Sequence, residues 1–584
     1  MVQKHESAKA RRHESTKEST KKFVLHLRAF VPSRLRALVM MLTATLPAAV
    51  AAQIKEASVS TETPGRYERM DFTVKLTGAW ENPHLMEQAQ LDMLLKTPSG
   101  GELKLPCWFD SGSSGGLSIW KARFAPQEVG VYEYRFRYAE KRRIKSESQP
   151  EKFTGGESGR KGFLKPNDMW TLRFENGEAF RGIGENICWE SRTEDDSKFF
   201  RELHEQYDRY NYDYLLPQFA ENGGNFTRVW MCSWNFPIDQ QRRFNNHRYT
   251  ESDEYYNPSA VARLDHFVNL CEEHGIYVML CMGGGSAHTD LGFFTTDEAK
   301  QRYRNRARYI IARWGYSPAI AMWEFFNEID NIRFRDPENP IPAELLTAWH
   351  TEMCQWFREN DPYGHLLTTS ISHRDVEGLN AIPEMDINQK HIYKNTSAIP
   401  HEIKSYEQKY GKPYVIGEFG YEWDWSKNFD DFGDEMDNDF RRGLWYGLFS
   451  PTPITPMSWW WEYFENRGMV PYFRGVREIN DRMLADGGGR FEALEARCGE
   501  AEAFAVKCGQ TIYAYLCNPT DETVRDNLVI EFHGGSYDVA CFDPETLEYF
   551  PQGALPAPAG IHFANIEIAP KRDKILIFTP REEN

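Results

Sequence analysis

The alternation of hydrophobic and polar positions changes rhythm three times along this 584-residue chain. From 53 to 150 it runs with a period of two, as in Phe72-Thr-Val-Lys-Leu76, Gln90-Leu-Asp-Met-Leu-Leu95 and Gly130-Val-Tyr-Glu-Tyr-Arg-Phe-Arg-Tyr138. Such runs, separated by Gly, Pro and Ser turns, predict an antiparallel β-sandwich. Residues 151–164 close a polar, Gly-containing stretch and read as a linker. From 165 to 486, short apolar runs alternate with segments whose apolar residues recur every three or four positions. The runs are 180–187, 226–232, 277–282, 320–326, 366–371, 386–392, 414–419 and 454–461. Of the segments between them, 258–274 has the clearest helical spacing, and Gly275 follows it as a C-cap. Eight strand–helix units in series predict an α/β fold, a (β/α)8 TIM barrel. After Gly487-Gly-Gly489 the β patterning returns, in 511–516, 528–532 and 574–578, and predicts a second β-sandwich over 487–584.

Charge and the cysteines narrow the setting. The 69 Lys and Arg against 86 Asp and Glu leave a net charge of −17. An acidic body repels phosphate backbones, so nucleic acid is not an expected partner. Residues 1–36 are basic, with a His-Glu-Ser repeat at 5–7 and 13–15, and belong to no fold. The apolar run 37–46, preceded by Arg34 and Arg36 and followed by Pro47-Ala-Ala-Val-Ala-Ala, reads as a secretory signal cut near Ala51 or Ala52. Residues 1–52 are therefore a leader, and the expected location is secreted or periplasmic, with no membrane contact after cleavage. Of the ten cysteines, Cys188, Cys232 and Cys281 sit in or beside apolar runs as buried thiols, and Cys508 and Cys517 flank a strand and are candidates to pair. No Cys/His spacing suits zinc, and neither metal nor cofactor is expected. The aromatic content (37 Phe, 28 Tyr, 17 Trp) is high, and flat platforms for sugars and thick cores are its two readings.

In such a barrel the reactive groups stand at the carboxyl ends of strands. The fourth run ends Trp323-Glu-Phe-Phe-Asn-Glu328, and the seventh ends Val415-Ile-Gly-Glu-Phe-Gly420. Two carboxylates, Glu328 and Glu418, thus leave two strand ends toward one mouth. That is the arrangement glycosidases use, one carboxyl as acid and the other as an ionised nucleophile.

These motifs resemble the retaining glycoside hydrolases of clan A, family 5 in particular, over residues 165–486. Asn327-Glu328 matches the family's pair after strand 4, which implies Glu328 as general acid/base and Asn327 as a ligand of the sugar 2-hydroxyl. Glu418 in Gly411-Lys-Pro-Tyr-Val-Ile-Gly-Glu-Phe-Gly420 matches the strand-7 nucleophile. Arg228 in Asn225-Phe-Thr-Arg-Val-Trp230 matches the strand-2 arginine, which keeps the nucleophile ionised. His391-Ile-Tyr393 matches the His-x-Tyr after strand 6, and Trp459-Trp-Trp461 falls where strand 8 supplies an aromatic floor. By alternation, Trp459 or Trp460 meets the sugar and a neighbour fills the core. Glu185, Asn186, Trp230 and Trp234 end strands 1 and 2 and are candidates to line subsites, while Glu324 reads as buried in a hydrogen-bond network. Two positions depart from the family: strand 3 lacks its usual His, with His288 the nearest, and Ile329-Asp330 stands where Pro is common. The resemblance implies a retaining hydrolase acting on a plant or algal polysaccharide, and it leaves sugar, linkage and exo or endo action open. Long loops at 233–257 and 422–439 are candidate cleft walls. The N-terminal segment, with Trp80-Glu-Asn-Pro83, Trp108 and Trp120, resembles immunoglobulin-like modules found before such barrels. The rival readings are a non-catalytic carbohydrate-binding protein and a transglycosylase.

Overall fold

The computed structural model describes residues 51–195, 197–283, 289–532 and 534–581. The expected leader and signal run, and His288, lie outside the described residues. The fold is mixed α/β with several sheets.

Two antiparallel sheets lie at the N-terminal side. One orders Gln53–Val59, Met70–Thr77, Leu117–Phe124 and Trp108–Gly112; the other joins Glu102–Pro106, Ala89–Lys96, Gly130–Glu140 and Arg143–Glu147. Their inward faces follow the period-two pattern. Met70, Phe72, Val74 and Leu76 are all buried, and Phe72 meets Tyr134 edge-on at 5.1 Å. Part of the expected linker is instead a strand: Glu151–Gly155 pairs with Gly130–Tyr134, and Phe153 stacks on Tyr132 at 4.8 Å. Its other side chains are polar and face water, so one inward aromatic suffices for an edge strand.

A run of parallel strands follows: Gly184–Asn186, Phe226–Trp230, Tyr277–Cys281, Ile320–Glu324 and Leu366–Thr368, then Ser370–Ile371, Asn388–Tyr393 and Tyr414–Gly420. Ser458 bridges in parallel both to Phe419 and to Glu185, so the pairing returns to its first strand. The 454–461 run is not a regular strand. It makes isolated bridges at Ile454 and Ser458, and a helix begins at Trp461. Pro453 and Pro456 explain this, since neither has an N–H to give a ladder. The small antiparallel sheet Leu164–Pro166, Leu172–Phe174, Ala179–Phe180 packs on Phe226, Ile387, Val415 and Ile454, closing the end where the parallel strands start.

Helices between the parallel strands bury one face each. Pro258–His274 forms as its spacing predicts: the Asn257 side chain accepts from the amides of Ser259 and Ala260, Pro258 opens the first turn, and Gly275 takes φ +66° as cap. Beyond the last helix, Phe473–Gly487, a six-stranded and a three-stranded antiparallel sheet occupy 492–580. Cys508 and Cys517 do not pair. Both are buried free thiols at opposite ends of a hairpin, where Cys508 faces Thr511 and Cys517 faces Glu502.

Candidate active site

The site lies at the carboxyl ends of the parallel strands, and a buried arginine organises it. Register places Arg228 beside Asn186 at the end of the first strand. Its Nε and Nη2 donate to the two Glu324 oxygens at 2.7 and 2.8 Å. Nη2 also donates to Asn327 Oδ1 at 2.7 Å, and Nη1 to Glu418 Oε1 at 2.6 Å. Arg228 and Glu324 are fully buried. An isolated charge there would be costly, but two carboxylates in bidentate and single contacts compensate this one. Glu324 and Glu418 hold the guanidinium well above its usual pKa, against the pull of burial.

Glu418 is nearly enclosed. Its other oxygen, Oε2, accepts from Tyr393 Oη at 2.6 Å and lies 3.3 Å from His391 Nδ1. Burial pushes its carboxyl above the ordinary glutamate range. His391 and Arg228 pull it back, Glu328 pushes it up again, and the Tyr393 hydrogen bond lowers it, leaving a net rise. Burial and the charge of Glu418 raise Tyr393 well above a normal phenol, so it remains a donor.

Glu328 leaves its strand through an unusual backbone state, φ +48° and ψ 59°, a left-handed conformation rare for a non-glycine residue and a mark of stored strain. Its amide donates to Ser370 Oγ at 2.9 Å. His391 Nδ1 lies 2.9 Å from Glu328 Oε1 as well as 3.3 Å from Glu418 Oε2, so it sits between the two carboxyls. Two acceptors flank that nitrogen, which assigns its proton to Nδ1. Glu328, His391 and Glu418 each bring one atom within 4.8 Å of the others. Three such donors could hold a divalent cation, but Arg228 already supplies positive charge to Glu418.

A cavity of about 760 Å³ opens over these groups. Of the residues named from sequence, Asn327, Glu328, His391, Tyr393, Glu418, Trp230, Trp459 and Trp460 line it. Arg228 acts from beneath. Both Trp459 and Trp460 reach the cavity because this segment has left strand geometry, so alternation does not apply; Trp461 instead packs edge-on against Trp189 at 4.9 Å. Glu185 is a correction: it is buried, accepts from Ser458 Oγ at 3.2 Å, and does not line the cavity. Burial, with Glu465 and Glu462 nearby, raises its pKa well above the ordinary value, although the Ser458 bond opposes this. Asn186 is also structural, its amide donating to the carbonyls of Gly417, Met457 and Ser458.

Sequence reasoning missed Asn331, Ser372, Lys390, Glu402, Trp423 and Trp425, which also line the cavity. Only the two tryptophans carried a signal, as aromatics in the long 422–439 loop. A second cavity of about 670 Å³ adjoins the first, sharing Trp230, Trp425 and Trp459 and adding Trp234 and Asn245. The 233–257 loop is thus one of its walls.

Comparison with known proteins bears on this geometry. Residues 63–139 match a family described as a domain of unknown function, DUF5060. Mannan endo-1,4-β-mannosidase A of Podospora anserina is 25% identical over 252 residues, covering 36% of this chain and 65% of that protein. A protein named as mannan endo-1,4-β-mannosidase C, from Aspergillus terreus, is 33% identical over 108 residues, covering 17% of this chain and 25% of its own length. The chain therefore spans less than two thirds of either relative. Among solved structures, one from Bacteroides vulgatus assigned to the glycoside hydrolases shares 14% identity at TM-score 0.62, over 89% of this chain and 100% of that one. A glycoside hydrolase of family 5 from the same species gives 14% identity and TM-score 0.50, over 73% and 94%. The likeness to glycoside hydrolases read from the strand-end motifs thus recurs in the relatives, and the fold is that of these neighbours. Among the described residues no helix is long and apolar enough to cross a membrane.

Proposed function

We propose that the chain is a retaining glycoside hydrolase acting on β-linked hexopyranosides of a plant or algal polysaccharide, with β-mannan the first candidate. One observation carries the reading. Glu328 and Glu418 come from different strands, and one oxygen of each lies within 4.8 Å of one oxygen of the other in a tryptophan-walled cavity. Retaining enzymes space their carboxyls about 5–5.5 Å apart, whereas inverting ones leave about 6.5–9.5 Å for a water. Glu418 attacks the anomeric carbon while Glu328 protonates the departing oxygen. A glycosyl ester forms on Glu418, and Glu328 then takes a proton from the water that releases it. Arg228 and Tyr393 hold the Glu418 carboxylate in line, and the tryptophans bear the sugar faces. The name shared by the two relatives favours mannan.

In this reading the parallel strands form a (β/α)8 barrel with a β-sandwich on either side, and the protein works outside the cytoplasm. The test is a hydrolysis screen of residues 53–584 on mannan, glucan, xylan and galactan, with Glu418→Gln as control and product anomer and size as readouts. Retained products that vanish in the variant are expected. Inverted products would defeat the mechanism. Binding without turnover on every substrate would favour a non-catalytic carbohydrate-binding protein.

A further inference from the structure

Glu328 is held in a left-handed backbone state at a strand end, so neither helix nor strand geometry aims its side chain. The aim comes from Asp330 and Asn331, in the turn that follows the Asn327-Glu328 pair. Asn331 Nδ2 lies 2.7 Å from Glu328 Oε2. The orientation of that amide is fixed by its other end: Oδ1 accepts from Arg374 Nη2 at 2.8 Å. A guanidinium can only donate, so the atom facing Glu328 is the N–H side.

Asp330, fully buried, holds that partner in place. Its Oδ1 accepts from the Ser372 amide at 2.7 Å. Its Oδ2 accepts from Ser372 Oγ at 2.8 Å and from the amides of His373 and Arg374 at 3.3 and 3.2 Å. The Arg374 guanidinium is steadied further over the Phe334 ring, 4.4 Å from its centre. A buried carboxylate thus ties down a turn, the turn orients an amide, and the amide meets one carboxyl oxygen of Glu328. His391 meets the other at 2.9 Å.

We propose that Asn331 is a positioning residue for the proton donor, aimed by Asp330 through the 372–374 turn; this rests on Glu328 being the general acid. In the first step the Glu328 proton passes to the glycosidic oxygen. The C1–O bond breaks with its electron pair going to that oxygen, and a Glu418 oxygen bonds to C1. Glu328 is left ionised. The Asn331 N–H can only donate, and it binds an ionised carboxylate more strongly than a neutral carboxyl. The contact therefore tightens as the proton leaves, which favours the transition state over the bound substrate.

The test uses two β-mannobiosides that differ in leaving group. Phenol needs the proton and 2,4-dinitrophenol does not. Asn331→Ala should lower kcat/KM about ten- to a hundredfold on the phenyl glycoside and under about threefold on the dinitrophenyl one. Asn331→Asp keeps the shape but swaps donor for acceptor, and should be worse than Ala on the phenyl glycoside. Arg374→Ala, which frees the other end of the amide, should give the same split in weaker form. Melting curves confirm that each variant folds. Glu328→Ala serves as the reference and should show the same split, larger. If Glu328→Ala shows a split and Asn331→Ala slows both probes equally or neither, or if Asn331→Asp matches the wild type, the proposal is overturned. If Glu328→Ala shows no split, or the wild type cuts neither probe, the underlying reading falls first.

Discussion

Two arginines in the parallel part of the chain are fully buried, and they differ in what surrounds them. Arg228 faces the carboxylates Glu324 and Glu418. Arg181, just before the first strand, faces backbone: Nε donates to Thr452 O at 3.1 Å, Nη1 to Leu448 O at 2.8 Å, and Nη2 to Gly447 O and Ser450 O at 3.0 and 2.8 Å. Those carbonyls belong to the end and exit of the Gly433–Leu448 helix, where the dipole favours a cation. With no carboxylate in contact, burial pushes its pKa down to about 9, and it stays charged at neutral pH. The same side chain in the same burial thus does two jobs. Paired with carboxylates, it favours the ionised form of Glu418; paired with carbonyls, it fastens a helix end to a strand.

The sharpest break of this comparison is removal of each charge. Arg228→Met strands Glu324 and Glu418 in the interior and should cost about 3–5 kcal/mol of stability, with turnover down at least about a hundredfold. Adding Glu324→Gln should recover much of the melting temperature and none of the turnover. Arg181→Met should cost about 2–4 kcal/mol, from four carbonyls losing their donor, and leave kcat and KM per folded molecule unchanged. Urea unfolding and steady-state kinetics on the same samples measure both. Arg181→Met lowering kcat as much as Arg228→Met would erase the distinction.

The two arginines also mark what the sequence could and could not reveal. Arg228 was legible because strand, spacing and carboxylate partners recur as one pattern, and so were Glu328, Glu418, His391 and Tyr393 as candidates. Arg181 carried no pattern, since its partners are carbonyls, which every residue has. Glu185 was misplaced because a strand end gives two opposite directions and sequence does not choose between them, so its neighbour Asn186 took the inward one. Trp459 and Trp460 broke the alternation rule because Pro456 had already ended the ladder. Asn331 lies in the turn beyond a strand end, where a left-handed residue redirects the chain, and no periodicity extends through such a turn. The strand at 151–155 was hidden by polar residues on its exposed face.

Tyr393 offers a smaller effect that sharpens the Arg228 side. Its hydroxyl lowers the Glu418 pKa, while burial has already raised it. In the proposed mechanism Glu418 attacks in its ionised form, so rate is lost as pH falls through that pKa, and the acid limb of kcat/KM should sit above the ordinary glutamate range. Tyr393→Phe removes a donor to the charged form and should move the limb up by about one further pH unit, while leaving the plateau within about tenfold. A limb that stays put or moves down would separate Tyr393 from the charge state of Glu418.

The smallest effect concerns the rings over each guanidinium. Trp230 lies 5.5 Å from Arg228, and Trp170 and Phe491 each lie 5.2 Å from Arg181. A cation over a desolvated aromatic face is worth about 1–2 kcal/mol. Phe491→Leu keeps an apolar side chain but loses the ring over Arg181 and its stacking on Trp170 at 5.5 Å, so it should lower stability by about 1–2 kcal/mol and leave KM untouched. Trp230 also walls both cavities, so Trp230→Phe keeps a ring for the arginine but shortens the proposed sugar platform. There KM should rise about threefold to tenfold, the melting temperature should hold, and the acid limb should not move. A shift in that limb would mean that Trp230 acts on the charge of Arg228 rather than on the sugar, and would make the two aromatic shells alike after all.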